Sequence, residues 1–127
     1  MAGLDNKTPT PTEIKLHQKS RMLEIAFSDG QHFELPCEYL RVYSPSAEVR
    51  GHGPGQEVLQ VGKKDVEIPD VQPVGSYAVQ LVFSDGHGSG LYSWDYLHDL
   101  GVNQKALWQQ YLERMNEAGA KREPGTL

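Results

Sequence analysis

Apolar and polar residues alternate in two segments of the chain that end in the same four residues. Large apolar residues occupy positions 23, 25 and 27 of the first segment and positions 79, 81 and 83 of the second, and Phe-Ser-Asp-Gly stands at 27–30 and again at 83–86. Alternation with a period of two predicts a half-buried strand, and Asp-Gly tolerates the positive φ angles of a tight hairpin. We therefore predict two similar hairpins, each followed by a short helical segment.

The remaining pattern adds strands and a long loop to these hairpins. Residues 44–56 contain two prolines and three glycines, which predicts a loop. A short helix is predicted from Pro36 to Val42. Proline is tolerated in its first turn because the N–H groups of that turn have no partner within the helix. With the two strands already described, at 21–28 and 77–84, the apolar pattern predicts seven strands in all. The other five lie at 13–19, 33–35, 57–61, 66–71 and 90–92.

Two helices are predicted in the last third of the chain. Ser93 is a suitable N-cap for a helix over 94–100 that Gly101 would end, and Asn103 is placed to cap the last and longest helix. On that helix Leu107, Tyr111 and Met115 recur every four residues, which predicts an apolar stripe packed on the sheet.

These elements predict an α+β fold. Hairpin links without regular βαβ alternation indicate a mostly antiparallel sheet with helices packed on one face, in two layers. A chain of 127 residues fits one domain, which we place at 13–118. The N-terminal arm at 1–12 and the tail at 119–127 hold few large apolar groups and are expected to be flexible.

Composition narrows the classes of partner. The net charge of −5 and the scattered basic residues argue against nucleic acid, and no apolar run approaches the ~20 residues of a membrane helix. Without a signal pattern, a cytoplasmic location is expected. The single cysteine, Cys37, excludes an internal disulfide and a Cys-x-x-Cys motif.

Candidate chemistry concentrates in two glycine-rich segments, 50–55 and 85–90. Neither suits phosphate, because Pro54 lacks an N–H donor and Asp85 would repel the anion. His52 and His87 lie in these segments and could bind a metal ion if the fold brought them to Cys37 or Asp85.

Nucleophilic catalysis would need Cys37 or a loop serine such as Ser44, Ser46 or Ser89. No spacing places a base beside any of them. Cys37 follows Pro36 at a helix start, where its pKa could be lowered, but its apolar neighbours favour a buried packing role.

Three segments carry a resemblance to a known family. They are Leu40-Arg-Val-Tyr-Ser-Pro-Ser-Ala-Glu-Val49, Tyr77-Ala-Val-Gln-Leu-Val-Phe-Ser-Asp-Gly-His87 and Leu91-Tyr-Ser-Trp-Asp-Tyr-Leu97. In these segments the sequence resembles the N-terminal domain of gamma-butyrobetaine hydroxylase, and it is similar to small stand-alone bacterial members whose function is not established. The similarity spans roughly residues 13–100.

The resemblance has consequences for metal binding and activity. In the hydroxylase the domain holds zinc through three cysteines and the histidine of Asp-Gly-His; matched residue by residue, these positions fall on Ser44, Ser46, Val49 and His87. Hydroxyls are poor zinc ligands and valine is none, so a zinc site is not expected here. Oxygenase activity is not expected either, because it belongs to a separate iron- and 2-oxoglutarate-dependent domain that this chain is too short to contain.

The sequence and the resemblance together predict a small non-catalytic binding or adaptor module without a cofactor. Its partner is expected to be another protein; related domains attached to iron–sulfur cluster carrier ATPases imply an accessory role in iron–sulfur or other metalloprotein maturation. The alternatives are a passive connection at 41–56, a zinc- or iron-binding protein using His52 and His87, and a hydrolase. The predicted contact residues lie in or beside loop 41–56: Arg41, Ser44, Ser46, Arg50, His52 and His87.

Overall fold

The computed structural model describes residues 9–51 and 57–123, which form six strands and four helices. In chain order the elements are β1 (Pro11–His17), β2 (Met22–Phe27), β3 (His32–Pro36), α1 (Cys37–Val42), α2 (Ala47–Arg50), β4 (Asp70–Val74), β5 (Ala78–Val82), β6 (Leu91–Ser93), α3 (Trp94–Val102) and α4 (Gln104–Ala118).

The strands form two small antiparallel sheets. One has the order β1-β2-β3, with Ile25 paired to Ile14 and to Phe33; the other has the order β4-β5-β6. The predicted α+β class and the antiparallel pairing are confirmed. The strands divide between two sheets because each predicted hairpin acquires its own third strand.

The repeated Phe-Ser-Asp-Gly segments form near-identical turns. In the first, Phe27 N–H donates to Gln31 O at 2.8 Å and Gly30 has a φ of 87°. In the second, Phe83 N–H donates to His87 O at 2.8 Å and Gly86 has a φ of 91°. Positive φ explains why glycine ends both segments. The repeat therefore places His87 where the first hairpin has Gln31.

One core joins the two sheets and the helices. The alternating apolar residues of β2 and β5 are buried, as are Leu97 and Leu100 of α3. On α4, Tyr111 and Met115 are buried and Leu107 is half-buried, so the apolar stripe is present. It does not pack on a sheet as predicted, because Tyr111 and Met115 cluster with Val42 of α1. Buried hydroxyls tie the layers together, since Tyr92 OH donates to Leu40 O at 2.6 Å.

Several boundaries differ from the prediction. Residues 57–61 form no strand; instead Val58 N–H donates to Val49 O at 2.8 Å. The strand predicted at 66–71 begins only at Asp70, in line with Pro69, although Val66 and Ile68 are buried. Gly101 lies inside α3, and Asn103 gives α4 no side-chain cap.

The described ends of the chain take part in the fold. Ser28 N–H donates to Thr10 O at 2.8 Å, and β1 starts at Pro11, inside the segment predicted as an arm. Gly62 N–H donates to Lys121 O at 3.0 Å, inside the predicted tail. Within the described ranges, no helix has the length and hydropathy needed to cross a membrane.

Candidate functional site

A hydrogen-bond network surrounds His87; its centre at Ser44 and His87 is buried, whereas Glu48 at its edge is exposed. Ser44 Oγ lies 2.8 Å from His87 Nε2, and Glu48 Oε2 lies 3.1 Å from Nδ1. Burial, followed by the charge of Arg41, lowers the pKa of His87, so the imidazole is neutral at pH 7. A carboxylate can only accept, so we assign the ring proton to Nδ1; Nε2 then accepts from Ser44. His87 thereby joins the second hairpin to the segment around α2.

Serine hydroxyls extend this network around the start of α2. Ser46 Oγ lies 2.8 Å from Ser89 Oγ and accepts from Glu48 N–H at 3.2 Å, which caps the helix. Ser44 Oγ also accepts from Ser46 N–H at 3.2 Å. A Cβ atom at Gly90 would lie only 2.6 Å from Ser44 Oγ, so the hairpin backbone approaches the network very closely.

A charged cluster lies next to the network. Asp85 accepts from Arg41 Nε at 2.9 Å, from Lys63 Nζ at 2.6 Å and from His87 N–H at 3.1 Å. Burial would raise the pKa of Asp85, but these donors outweigh it and lower the pKa to about 2. Arg41 Nη1 is buried without a hydrogen-bond partner among the described residues. The cluster holds the second turn against α1.

A pocket of about 200 Å³ opens beside the network, and we call it the arginine pocket. Arg50 lies with its Cζ 5.1 Å from the ring centroid of Tyr96, and Tyr96 OH donates to Tyr43 O at 2.5 Å. Ser44 contributes to the lining from the network. The lining also includes two valines, three charged residues and a tyrosine: Val49, Arg50, Glu57, Val58, Tyr96 and Arg114.

Comparison with known proteins assigns the chain to a family. The family described as gamma-butyrobetaine hydroxylase-like, N-terminal, matches residues 14–98. The chain belongs to this family. A search of curated proteins found no match.

Three solved structures are similar to the chain over most of its length. One NMR solution structure shares 56% identity, with a TM-score of 0.80, covering 97% of this chain and 92% of the other. A second shares 44% identity, with a TM-score of 0.81 and 94% coverage of each chain. A crystal structure of a protein of unknown function from Acidithiobacillus ferrooxidans, of the DUF971 family, shares 40% identity, with a TM-score of 0.63, covering 77% of this chain and 98% of the other.

The positions matched to the hydroxylase zinc ligands hold an unsuitable donor set. Ser44 and Ser46 hydrogen-bond within the network, and Val49 is buried. Among the described residues, no group of three His, Cys, Asp or Glu is placed to hold a metal ion. His52 lies outside the described residues. The side chains present therefore do not fit a zinc ion at this place.

Ser44, His87 and Glu48 have the order of a nucleophile, a base and an acid, but their surroundings do not suit catalysis. Ser44 is only 1% exposed. Pro45 has no N–H, and the Ser46 N–H already donates to Ser44 Oγ, so neither following residue offers a donor to an oxyanion. This geometry favours a structural cross-link between α2 and the second hairpin.

Cys37 lies in the core, as its apolar neighbours predicted. Burial raises the pKa of its thiol to about 11, opposite in direction to the lowering that a helix start could have given. A thiol that is protonated and buried is not available as a nucleophile.

The structure separates the predicted contact residues into two groups. Arg41, Ser44, Ser46 and His87 come together but are buried, so they support a surface rather than form one. Arg50 is exposed. Sequence reasoning missed Glu48, Tyr96 and Arg114. An acidic residue at the second position of α2 was a weak signal for Glu48, whereas no local pattern connects Arg114 with Arg50.

Proposed function

We propose that this protein is a non-catalytic binding module that holds an acidic segment of a partner protein in the arginine pocket. One observation carries the proposal. In a chain with a net charge of −5, the guanidinium groups of Arg50 and Arg114 line one pocket, and neither forms an ion pair with a described carboxylate. Because Glu57 lies in the same lining, one net positive charge is available to a ligand.

The pocket suits a carboxylate next to an apolar side chain. Tyr96 orients the Arg50 guanidinium by stacking, so less side-chain entropy is lost when it binds. Glu57 also lines the pocket and leaves one net positive charge there, which favours a single carboxylate over a doubly charged phosphate. Val49 and Val58 supply apolar surface.

The hydrogen-bond network around His87 would serve this surface by positioning α2. His87 bonds both Ser44, which lines the pocket, and Glu48, which lies two residues before Arg50. Removing His87 would therefore alter binding indirectly. The family resemblance favours a partner in iron–sulfur or other metalloprotein maturation, and such proteins are the first to test.

A pull-down with charge-reversal variants tests the proposal. Arg50→Glu combined with Arg114→Glu is compared with Lys19→Glu combined with Lys64→Glu, which changes net charge equally at exposed positions outside the pocket. We expect wild type and the control to recover the same partner in equal amounts. The pocket variant is expected to recover at least tenfold less of it. Equal recovery by the pocket variant would overturn the proposal, provided that both variants keep the wild-type melting temperature.

A further inference from the structure

A second concave site lies between the start of α1 and the junction of α3 and α4. It encloses about 460 Å³, within the range of about 300–1,000 Å³ that is common for small-molecule sites. We call it the Trp108 groove. It shares no residue with the arginine pocket. Its lining consists of Pro36, Tyr39, Gly101, Val102, Gln104, Lys105 and Trp108.

The apolar walls of the groove are held by contacts with one another and with residues outside the groove. The rings of Tyr39 and Trp108 meet edge to face with centroids 6.2 Å apart, and Tyr39 OH donates to Leu100 O at 2.7 Å. Arg122 Cζ lies 5.2 Å from the Trp108 ring centroid. A Cβ atom at Gly101 would lie 2.4 Å from the Phe33 ring, so α3 is packed closely against β3. The walls are therefore preorganised.

Among its described lining residues, the groove has one charged side chain, the Lys105 ammonium, and two further polar side chains that can donate a hydrogen bond, Gln104 and Trp108. Lys105 is exposed and forms no ion pair with a described carboxylate. Gln104 and the indole N–H of Trp108 have no side-chain hydrogen bond to another described residue. The lining residues that the structure describes include no acidic side chain. An anion is therefore favoured over a cation at this site.

We propose that the Trp108 groove binds a small amphipathic carboxylate. The apolar body of the ligand packs against Tyr39, Val102 and Trp108, and its carboxylate pairs with the Lys105 ammonium. Val102 is 57% exposed, so a ligand in this position also covers a large apolar side chain that now faces solvent. This inference does not depend on the arginine pocket or on a protein partner.

The two tryptophans allow a direct test by NMR. Hydrocinnamate, an aromatic carboxylate, is titrated into ¹⁵N-labelled protein while both indole N–H signals are followed. The Trp108 signal is expected to shift with saturation. The Trp94 signal should stay in place, because its indole N–H donates to Ser76 O at 2.7 Å outside the groove. Equal shifts of both signals, or no shift of Trp108, would overturn the proposal.

Two comparisons separate charge recognition from apolar binding. Lys105→Gln is expected to weaken hydrocinnamate binding about three- to fivefold, as for an exposed ion pair. Lys19→Gln, at an exposed lysine outside the groove, should leave it unchanged. The neutral hydrocinnamyl alcohol should bind wild type and Lys105→Gln equally. Hydrocinnamate affinity that survives Lys105→Gln undiminished would contradict the proposed pairing.

Discussion

At the scale of single residues, the chain provides its own control for the role of His87. Gln31 occupies the equivalent position of the first turn, with the same backbone hydrogen bond from the phenylalanine. Gln31 is exposed, however, whereas His87 is 7% exposed and bonds Ser44 and Glu48. The two turns therefore share a backbone geometry, but only the second is followed by a side chain that is buried and hydrogen-bonded to the α2 segment.

His87→Ala is expected to lower the free energy of unfolding by about 2–3 kcal/mol, because it leaves a cavity and removes the hydrogen-bond acceptor of the buried Ser44 hydroxyl. Gln31→Ala should change it by less than about 0.5 kcal/mol, as is usual at an exposed position. Urea unfolding of both variants measures the difference. Equal losses of unfolding free energy in the two variants would show that the side chain of His87 contributes no more to stability than that of Gln31 does.

Protonation of His87 is expected to make the free energy of unfolding depend on pH. Burial, followed by the Arg41 charge, holds the pKa of His87 below its ordinary 6.5, against the opposing effects of Glu48 and Asp85. The unfolded chain therefore binds this proton at a higher pH than the folded protein does, and stability decreases as pH falls through 6.5 towards the folded pKa. In urea unfolding from pH 7.5 to 5.5, His87→Gln is expected to lose part of the slope of wild type. Identical slopes would contradict a depressed pKa.

At the scale of elements, the sequence predicted those with strong periodicity. The alternation in β2 and β5 and the four-residue spacing on α4 each reflect one buried face, so the pattern and the structure agree. Helix α2 has four residues, too few to show a period, and depends on the Ser46 cap. The strand predicted at 57–61 did not form, and there Val58 bonds to Val49, the last-but-one residue of α2.

Gly90→Ala tests how closely the second hairpin approaches α2. The added Cβ would lie 2.6 Å from Ser44 Oγ, so the variant is expected to lose about 1–3 kcal/mol of unfolding free energy. Gly88→Ala is the matched control, since its Cβ would meet no atom closer than 3.7 Å. Urea unfolding compares the two. A Gly90→Ala protein as stable as Gly88→Ala would show that the residues around Gly90 move to accept the added methyl group at little cost in free energy.

At the scale of the whole molecule, the candidate site was only partly predictable. Ser44, Ser46 and His87 could be named because the resemblance aligns them with zinc-ligand positions, and Arg41 because it begins the polar loop 41–56. Their burial could not be read from the sequence. Tyr96 and Arg114 reach Arg50 only through the packing of α3 and α4, and such distant contacts leave no local pattern. The same holds for the walls of the Trp108 groove.

Metal analysis examines the alternative function of the whole protein. Protein purified without a histidine tag is expected to contain no stoichiometric zinc or iron, because Ser44, Ser46 and Val49 stand where the resemblance places cysteines. Elemental mass spectrometry measures the content. Stoichiometric metal that disappears in His87→Ala would instead favour a metal site at His87, joined by His52.

The proposal of an acidic partner segment in the arginine pocket is tested most directly by titration calorimetry with the isolated partner. Arg50→Glu combined with Arg114→Glu is predicted to raise Kd at least tenfold, which corresponds to about 1.4 kcal/mol. Lys19→Glu combined with Lys64→Glu, with the same net charge, is predicted to keep the wild-type Kd. A pocket variant that binds as tightly as this control would contradict the account.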